Sequence, residues 1–175
     1  MSCDISRGRL EPCKDSVGGL NAVYFVNKGD IDAVTYDSTD TDVIDAVTGT
    51  PTAYKFDIKG GSTYTENITS SRENGTTTFE QVLELQLTKL TKEDHKTVKL
   101  LAYGSPTVLI EDNNGNVFVA GLEHGLDVSG GTIVSGAAMG DMSGYTLTFS
   151  GMEKAPANFL GDTISAVGFS VTEGA

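Results

Sequence analysis

Apolar and polar residues alternate along much of the chain, and a two-residue period predicts β-strands with one buried face. The alternation is clearest at residues 53–61, where large apolar residues alternate with charged ones: Tyr54, Phe56 and Ile58 against Lys55, Asp57 and Lys59. Residues 22–27 and 30–37 predict two earlier strands, the second with a ragged period. An acidic loop containing a short strand at 43–47 is expected to follow.

Residues 62–90 predict a long hairpin. Its tip is Glu73-Asn74-Gly75, and Asn-Gly between two strand-like segments is a strong signal for a tight hairpin turn. The returning arm alternates between an apolar and a mainly polar face: Leu83, Leu85 and Leu87 against Val82, Glu84 and Gln86. The tip is polar throughout, so we expect it to project into solvent or onto a partner.

One helix is expected at residues 91–103. Thr91 followed by Asp94 resembles a capping box, and Gly104 with Pro106 supplies a stop. Val98, Leu101 and Ala102 are expected to face the core. A second hairpin is expected at 107–121, which turns at Asn114-Gly115. Strands are expected to follow near 124–130 and 131–137, and then at 144–154 and 163–172.

These elements predict a single mainly β domain over residues 1–175, about nine strands in a sandwich or barrel-like arrangement with one packed helix. An N-terminal arm is expected at residues 1–20, before the first strand. The 21 glycines and the frequent threonines agree with strands joined by tight turns.

The net charge of −12 excludes binding of nucleic acid through phosphates, which requires clusters of Lys and Arg. It indicates either solubility alone or deliberate repulsion of an anion. No apolar run approaches the roughly 20 residues of a membrane span. The polar first residues also lead us to expect no secretory signal peptide and no membrane partner.

Cys3 and Cys13 are the only cysteines, ten residues apart. Structural zinc needs four ligands, and only His95 and His124 remain to complete a set, so zinc is disfavoured. A disulfide stays open but is unusual without export. We expect two small apolar thiols packed under a loop.

No sequence pattern for an enzyme emerges. A nucleophile elbow and both glycine-rich phosphate motifs are missing. The acidic segment 37–42 lacks the glycine and closing glutamate of an EF-hand, so a solvated loop is favoured over calcium. His95 is expected to be solvated and His124 to serve a turn. We therefore expect no enzymatic activity and no cofactor.

The long hairpin and the arm favour a role in self-assembly, because an isolated hairpin is not stable in water and needs a neighbour. The expected intersubunit contacts are exposed charged or polar residues of the arm and the hairpin tip: Arg7, Arg9, Lys14, Arg72, Glu73 and Asn74.

The segment CDISRGRLEPCKDSVGGLNAVYFVN resembles the start of virion structural proteins from tailed phages of Bacteroidota-type hosts. The order of elements, ending in GYTLTFSGMEKAPANFL, resembles the phage tail tube protein family over nearly the whole chain. The resemblance implies hexameric rings that assemble in the host cytoplasm, stack into a hollow tail tube and meet other tail proteins. It also implies that strands from each subunit form one channel, through which DNA passes without specific binding.

On this interpretation, strands 53–60 and 79–89 line an acidic channel with Asp57, Glu80, Glu84 and Gln86. The alternative for these residues is an ordinary solvated sheet face. The alternative for the protein is a capsid decoration or head-fibre protein. A carbohydrate-binding sandwich is disfavoured, because the chain lacks tryptophan and has few tyrosines on obvious loops.

Overall fold

A computed structural model describes residues 3–174 of the chain. In chain order the elements are β1 Leu20–Val26, β2 Ile31–Tyr36, β3 Val43–Gly49, β4 Thr52–Asp57, β5 Thr63–Ser71, β6 Thr76–Thr88, α1 Lys92–Tyr103, β7 Thr107–Asp112, β8 Val117–Ala120, β9 Asp127–Val134, β10 Gly144–Glu153, β11 Asn158–Leu160, α2 Ile164–Val167 and β12 Ser170–Glu173. A 3₁₀ turn, Lys28–Asp30, joins β1 to β2. In the part that the structure describes, no helix is long and apolar enough to cross a membrane.

The strands form two sheets, and the predicted mainly β sandwich-like fold is confirmed, with 48% of the residues in strands and 11% in helices. The larger sheet has the order β12-β4-β1-β7-β8-β11-β3-β2. The smaller sheet has the order β5-β6-β10-β9 and is antiparallel throughout. Chain neighbours pair in hairpins, whereas β1 lies between β4 and β7 and therefore depends on contacts distant in sequence.

The main core fills the space between the two sheets. Leu83 and Leu85 of β6 and Phe149 of β10 are fully buried there, against Val23 and Phe25 of β1. Phe25 contacts Phe149 with ring centroids 5.2 Å apart. The alternation predicted for β6 is confirmed, because its leucines face this core while Glu84 is exposed.

A second core covers the opposite face of the larger sheet. It contains Tyr24 and Val26 of β1, Ile44 of β3, and Ile164 and Val167 of α2. Helix α2 contacts both β3 and β12, which lie toward opposite ends of the sheet order, so the sheet curls around this core. Strands β1 and β7 are consequently buried on both faces.

Helix α1 begins where the capping residue predicts. The Thr91 hydroxyl accepts a hydrogen bond from the Asp94 N–H at 3.0 Å, and the Gly104 N–H closes the last turn on Leu100. Val98 is buried and Leu101 packs against the main core. The expectation for Ala102 is wrong, since it is exposed on the turn beyond the packed face.

Three local predictions need correction. Residues 163–172 are not one strand, because Ile164 and Val167 recur at a helical spacing, Thr163 caps the turn, and only Ser170–Glu173 is extended. The ragged period of β2 reflects two register shifts, which bring Val34 rather than Ala33 against the core. On β4, Tyr54 shares the face of Phe56 and Ile58 but is 44% exposed.

Candidate assembly surfaces

The outer face of the smaller sheet is polar, and we call it the polar face. Residues directly opposite on antiparallel strands point to the same side, so the register defines this face. On β6 it contains Glu80, Val82, Glu84 and Gln86. The aligned residues of the neighbouring strands are mostly Thr and Ser: Thr63, Thr65 and Asn67 on β5, Thr146, Thr148, Ser150 and Met152 on β10, and Asp127, Gly130 and Thr132 on β9.

The charges of the polar face are all of one sign. Glu80, Glu84 and Asp127 carry them, and the aligned positions of the four described strands include no Lys or Arg. The carboxylate of Glu80 accepts a hydrogen bond from the Asn67 amide at 3.4 Å across the strand pair. A surface of this composition repels phosphates rather than binding them.

Three of the four residues expected to line a channel therefore lie together on the polar face: Glu80, Glu84 and Gln86. The structure separates Asp57 from them, because it is at the end of β4 in the larger sheet, 3.5 Å from Lys55. Strands 53–60 and 79–89 thus belong to different sheets and do not form one surface within the subunit.

The two edges of the smaller sheet each have only one strand neighbour in the described chain. Strand β5 pairs with β6 alone and β9 with β10 alone. Edge strands are commonly protected by Lys, Pro or bulges. Neither β5 nor β9 contains Lys, Arg or Pro, and the one bulge in β9 leaves Gly130–Val134 in regular register. Both edges therefore offer unpaired backbone groups to another strand.

The β5–β6 hairpin extends beyond the body of its sheet. Strand β10 follows β6 only as far as the Glu153–Phe79 pair, so residues 69–78 pair only with each other. The tip is the predicted turn, with Gly75 at φ 63° and the Ser71 hydroxyl accepting from the Asn74 N–H at 3.2 Å. Arg72, Glu73 and Asn74 are exposed at its end, where the hairpin can reach a neighbour.

The N-terminal arm, residues 3–18, is exposed and contains neither helix nor strand. It is tied down at its root, where the Asn114 amide donates to the Val17 carbonyl at 2.7 Å and the Asn113 amide to the Gly18 carbonyl at 2.8 Å. Arg7, Arg9 and Lys14 lie on the exposed part beyond this root.

The prediction that the two thiols pack under a loop is wrong. Cys3 and Cys13 are both unbonded to each other and exposed on the arm. The reason is that residues 3–18 of the arm are all exposed, so no core covers the thiols.

A buried carboxylate, not identified in the sequence, organises the turn around His124. Glu153 is 7% exposed and accepts from the His124 N–H at 2.9 Å, and its other oxygen lies 3.0 Å from Nδ1 of the same residue. Glu123 is close by and pairs with Lys154 at 3.4 Å. These contacts agree with the turn role expected for His124. Glu153 ends β10 directly after the exposed Met152, and sequence spacing alone gives no sign of its partner.

Among residues 3–174 one group of possible metal-ligating side chains converges: Glu123, His124 and Glu153, with ligand atoms within 4.8 Å of one another. Glu153 is already satisfied by the His124 backbone and ring, and Glu123 by Lys154. The adjoining cavity, about 160 Å³, is small for a substrate pocket. The contacts among these residues and with Lys154 therefore account for their arrangement in the turn without a bound ligand.

The acidic loop after β2 also satisfies itself. The Asp37 carboxylate accepts from the N–H groups of Thr39 and Asp40, and these hydrogen bonds lower the pKa of Asp37. The Asp42 N–H is bound in the same way by Asp40 at 3.0 Å. The loop thus follows ordinary turn chemistry, as the solvated alternative predicts.

Two tyrosines, Tyr64 and Tyr24, have hydroxyl groups that are hydrogen-bonded to carboxylates at the packed regions. Burial raises the pKa of Tyr64, and its hydroxyl donates to Glu66 at 2.5 Å, while Glu66 accepts from the Ala157 N–H at 2.9 Å. Burial and a hydrogen bond to Glu111 raise the pKa of Tyr24 to about 12. The first network ties β5 to the segment before β11, and the second joins β1 to β7.

Comparison of the chain with protein-family models, with curated proteins and with solved structures finds no match.

Proposed function

We propose that this protein is a structural subunit that assembles into rings stacked as a hollow tube, with the polar face lining the channel. The observation that carries the proposal is the smaller sheet itself, because its one-signed polar face lies between two edge strands that each pair with a single neighbour. The resemblance of the element order to phage tail tube proteins agrees with it.

The edges supply the route to a ring. If β9 of one subunit pairs with β5 of the next, the contact is head to tail, and repetition closes a ring when the rotation permits. The smaller sheets then join into a continuous barrel, which removes the exposed edges of these sheets. The apolar side of each sheet remains covered by its own subunit, through Leu83, Leu85 and Phe149.

The polar face supplies the channel. A wall bearing Glu80 and Glu84 and many hydroxyl groups stays hydrated and repels the phosphates of passing DNA. A wall with exposed Lys or Arg would bind DNA in a salt-dependent manner and retard it. We therefore assign DNA passage without specific binding to this face, with neither catalysis nor a cofactor.

The projecting parts supply contacts along the tube. The hairpin overhang at residues 69–78 and the arm at residues 3–18 are exposed at separate places in the fold and extend beyond the packed body. In a stack of rings such segments lie against adjacent subunits. Arg72, Glu73 and Asn74 are the proposed contacts of the hairpin, and Arg7, Arg9 and Lys14 those of the arm.

Negative-stain electron microscopy of the purified protein, together with its mass in solution over a range of concentrations, tests the proposal. We expect rings or tubes with a central channel, in populations that grow with concentration. A monodisperse monomer at high concentration would overturn it. A compact trimer without a channel would instead favour the decoration-protein alternative.

A further inference from the structure

A long groove runs beside α1, between this helix and β4. It consists of two adjoining parts with volumes of about 740 and 650 Å³, and Tyr54, Phe56 and Thr97 line both. One part continues toward the start of α1 and the other toward its end, so the groove follows the helix for most of its length. Twelve helical residues span about 18 Å.

The half beside the end of α1 is apolar. Leu100 and Leu101 line it from the helix, and Phe56 and Pro106 from the other side. Leu100 is 62% exposed and Tyr54 44% exposed, although both are large apolar side chains. Exposed apolar residues gathered in one concavity indicate a binding surface rather than chance exposure.

The half beside the start of α1 is acidic. Asp57, Glu93, Asp94 and Glu173 line it, against two lysines, Lys55 and Lys59. Lys55 lies 3.5 Å from Asp57 and 3.3 Å from Glu173, so it is already engaged by two of these carboxylates. Glu93 and Asp94, in the first turn of the helix, supply the charge that a cation would meet.

The arm contains a segment that combines exposed apolar and basic residues. Residues 5–10 read Ile-Ser-Arg-Gly-Arg-Leu, with an apolar residue at each end and two arginines between them. Ile5 is 93% exposed and Leu10 91% exposed, so neither is buried on its own subunit. An extended chain places them about 17 Å apart, which is close to the length of the groove.

We propose that residues 5–10 of the arm dock in the groove between α1 and β4 of a second copy of this chain. One of the two apolar residues enters the half lined by Leu100 and Leu101, and the arginines face Glu93 and Asp94. The inference rests on the self-assembly proposed above and names the contact by which the arm takes part. Burial of the apolar side chain supplies the driving force for docking, and the paired arginines orient the segment.

The native cysteines make the contact measurable, because Cys3 and Cys13 flank the docking segment and are the only thiols in the chain. Two variants place one further thiol at either end of the groove, Lys59→Cys and Lys28→Cys, both at exposed lining positions. Lys99→Cys is the matched control, because Lys99 is also exposed but does not line the groove. Each protein is treated with a short bis-maleimide and separated under denaturing conditions.

We expect the two groove variants to give covalent dimers severalfold above Lys99→Cys and above the unmodified chain. Replacing Cys3 and Cys13 by serine should abolish them. Equal yields at the groove and control positions would overturn the inference. Cross-links that form only within one chain would show that the arm folds onto the groove of its own subunit. They would overturn the assignment to a second copy.

A charge exchange provides an independent readout. The pair Arg7→Glu and Arg9→Glu should weaken association, and adding Glu93→Lys with Asp94→Lys should restore it. Failure of the second pair to restore association would contradict the assigned contact. Tubes without groove cross-links would remove this inference and leave the proposed function standing. Groove cross-links without rings or tubes would support the groove contact and overturn the proposed function.

Discussion

Removing the hairpin overhang should separate folding from assembly. The variant replaces residues 69–78 by Asn-Gly, so that a two-residue turn connects Ile68 to Phe79. These two residues face each other in the β5–β6 register, so a two-residue turn closes the shortened hairpin without a register change. We expect a folded subunit that no longer forms rings or tubes.

The expected cost to stability follows from the contacts that are lost. None of residues 69–78 is buried, and the variant removes three cross-strand pairs: Thr69–Thr78, Ser70–Thr77 and Ser71–Thr76. At about 0.2–1 kcal/mol each, the three pairs contribute at most about 0.6–3 kcal/mol. The shorter hairpin also has fewer residues to order, which works against this loss. At about 2–4 °C for each kcal/mol in a domain of this size, we expect the unfolding temperature to fall by no more than about 12 °C.

Circular dichroism melting and negative-stain microscopy measure the two properties on the same preparation. Tubes that form normally from the shortened protein would refute the hairpin contact. A large loss of stability would refute the structural reasoning, because it would mean that the overhang packs on the subunit. A full-length variant with Arg72→Ser and Glu73→Ser is the control that separates the reach of the hairpin from the charges at its tip.

Three further perturbations test the channel, the core and one titration. Glu80→Lys with Glu84→Lys should let assembled tubes bind DNA with a salt-dependent affinity and slow the ejection of DNA. Replacing the same two residues by Gln should have neither effect. Unchanged DNA binding in the Lys variant would show that the two residues do not line the channel. Leu85→Ala should cost about 2–5 kcal/mol in denaturant unfolding, and a cost under 1 kcal/mol would contradict its place in the core. Tyr24→Phe should abolish an ultraviolet titration step near pH 12, because burial and Glu111 raise the pKa of this phenol above its ordinary value of 10.0. The stability that comes from keeping Tyr24 neutral is complete below pH 10 and is lost as the pH rises toward 12. If Tyr24→Phe instead removes a titration step near pH 10, the phenol is exposed and the reasoning is wrong.

Features with short-range causes could be predicted from the sequence. The hairpin turn at Asn74-Gly75 needs a residue that tolerates positive φ, and Gly75 supplies it at 63°. The helix start at Thr91 depends on a hydroxyl three residues before an N–H. The face of β6 follows from alternation alone.

Other features depend on which strands meet. The alternation of both strands predicts that Asp57 shares a surface with Glu80 and Glu84, yet pairing to β1 and to β10 places them in different sheets. The pattern of residues 163–172 predicts a strand. In the structure, burial against β3 favours a helical turn at Ile164–Val167 instead. No local pattern encodes these partners, because each pairing joins residues far apart in the chain.

The composition and local patterns determined that this protein is mainly β and acidic, with a polar-tipped hairpin, one capped helix and an exposed arm. Only the tertiary structure decided that Glu80 and Glu84 share a polar face between two unpaired edges, and that a groove with apolar and acidic halves forms beside α1. The physical reason is that alternation fixes which way a side chain points from its strand. The identity of the surface that it joins depends on long-range pairing and burial.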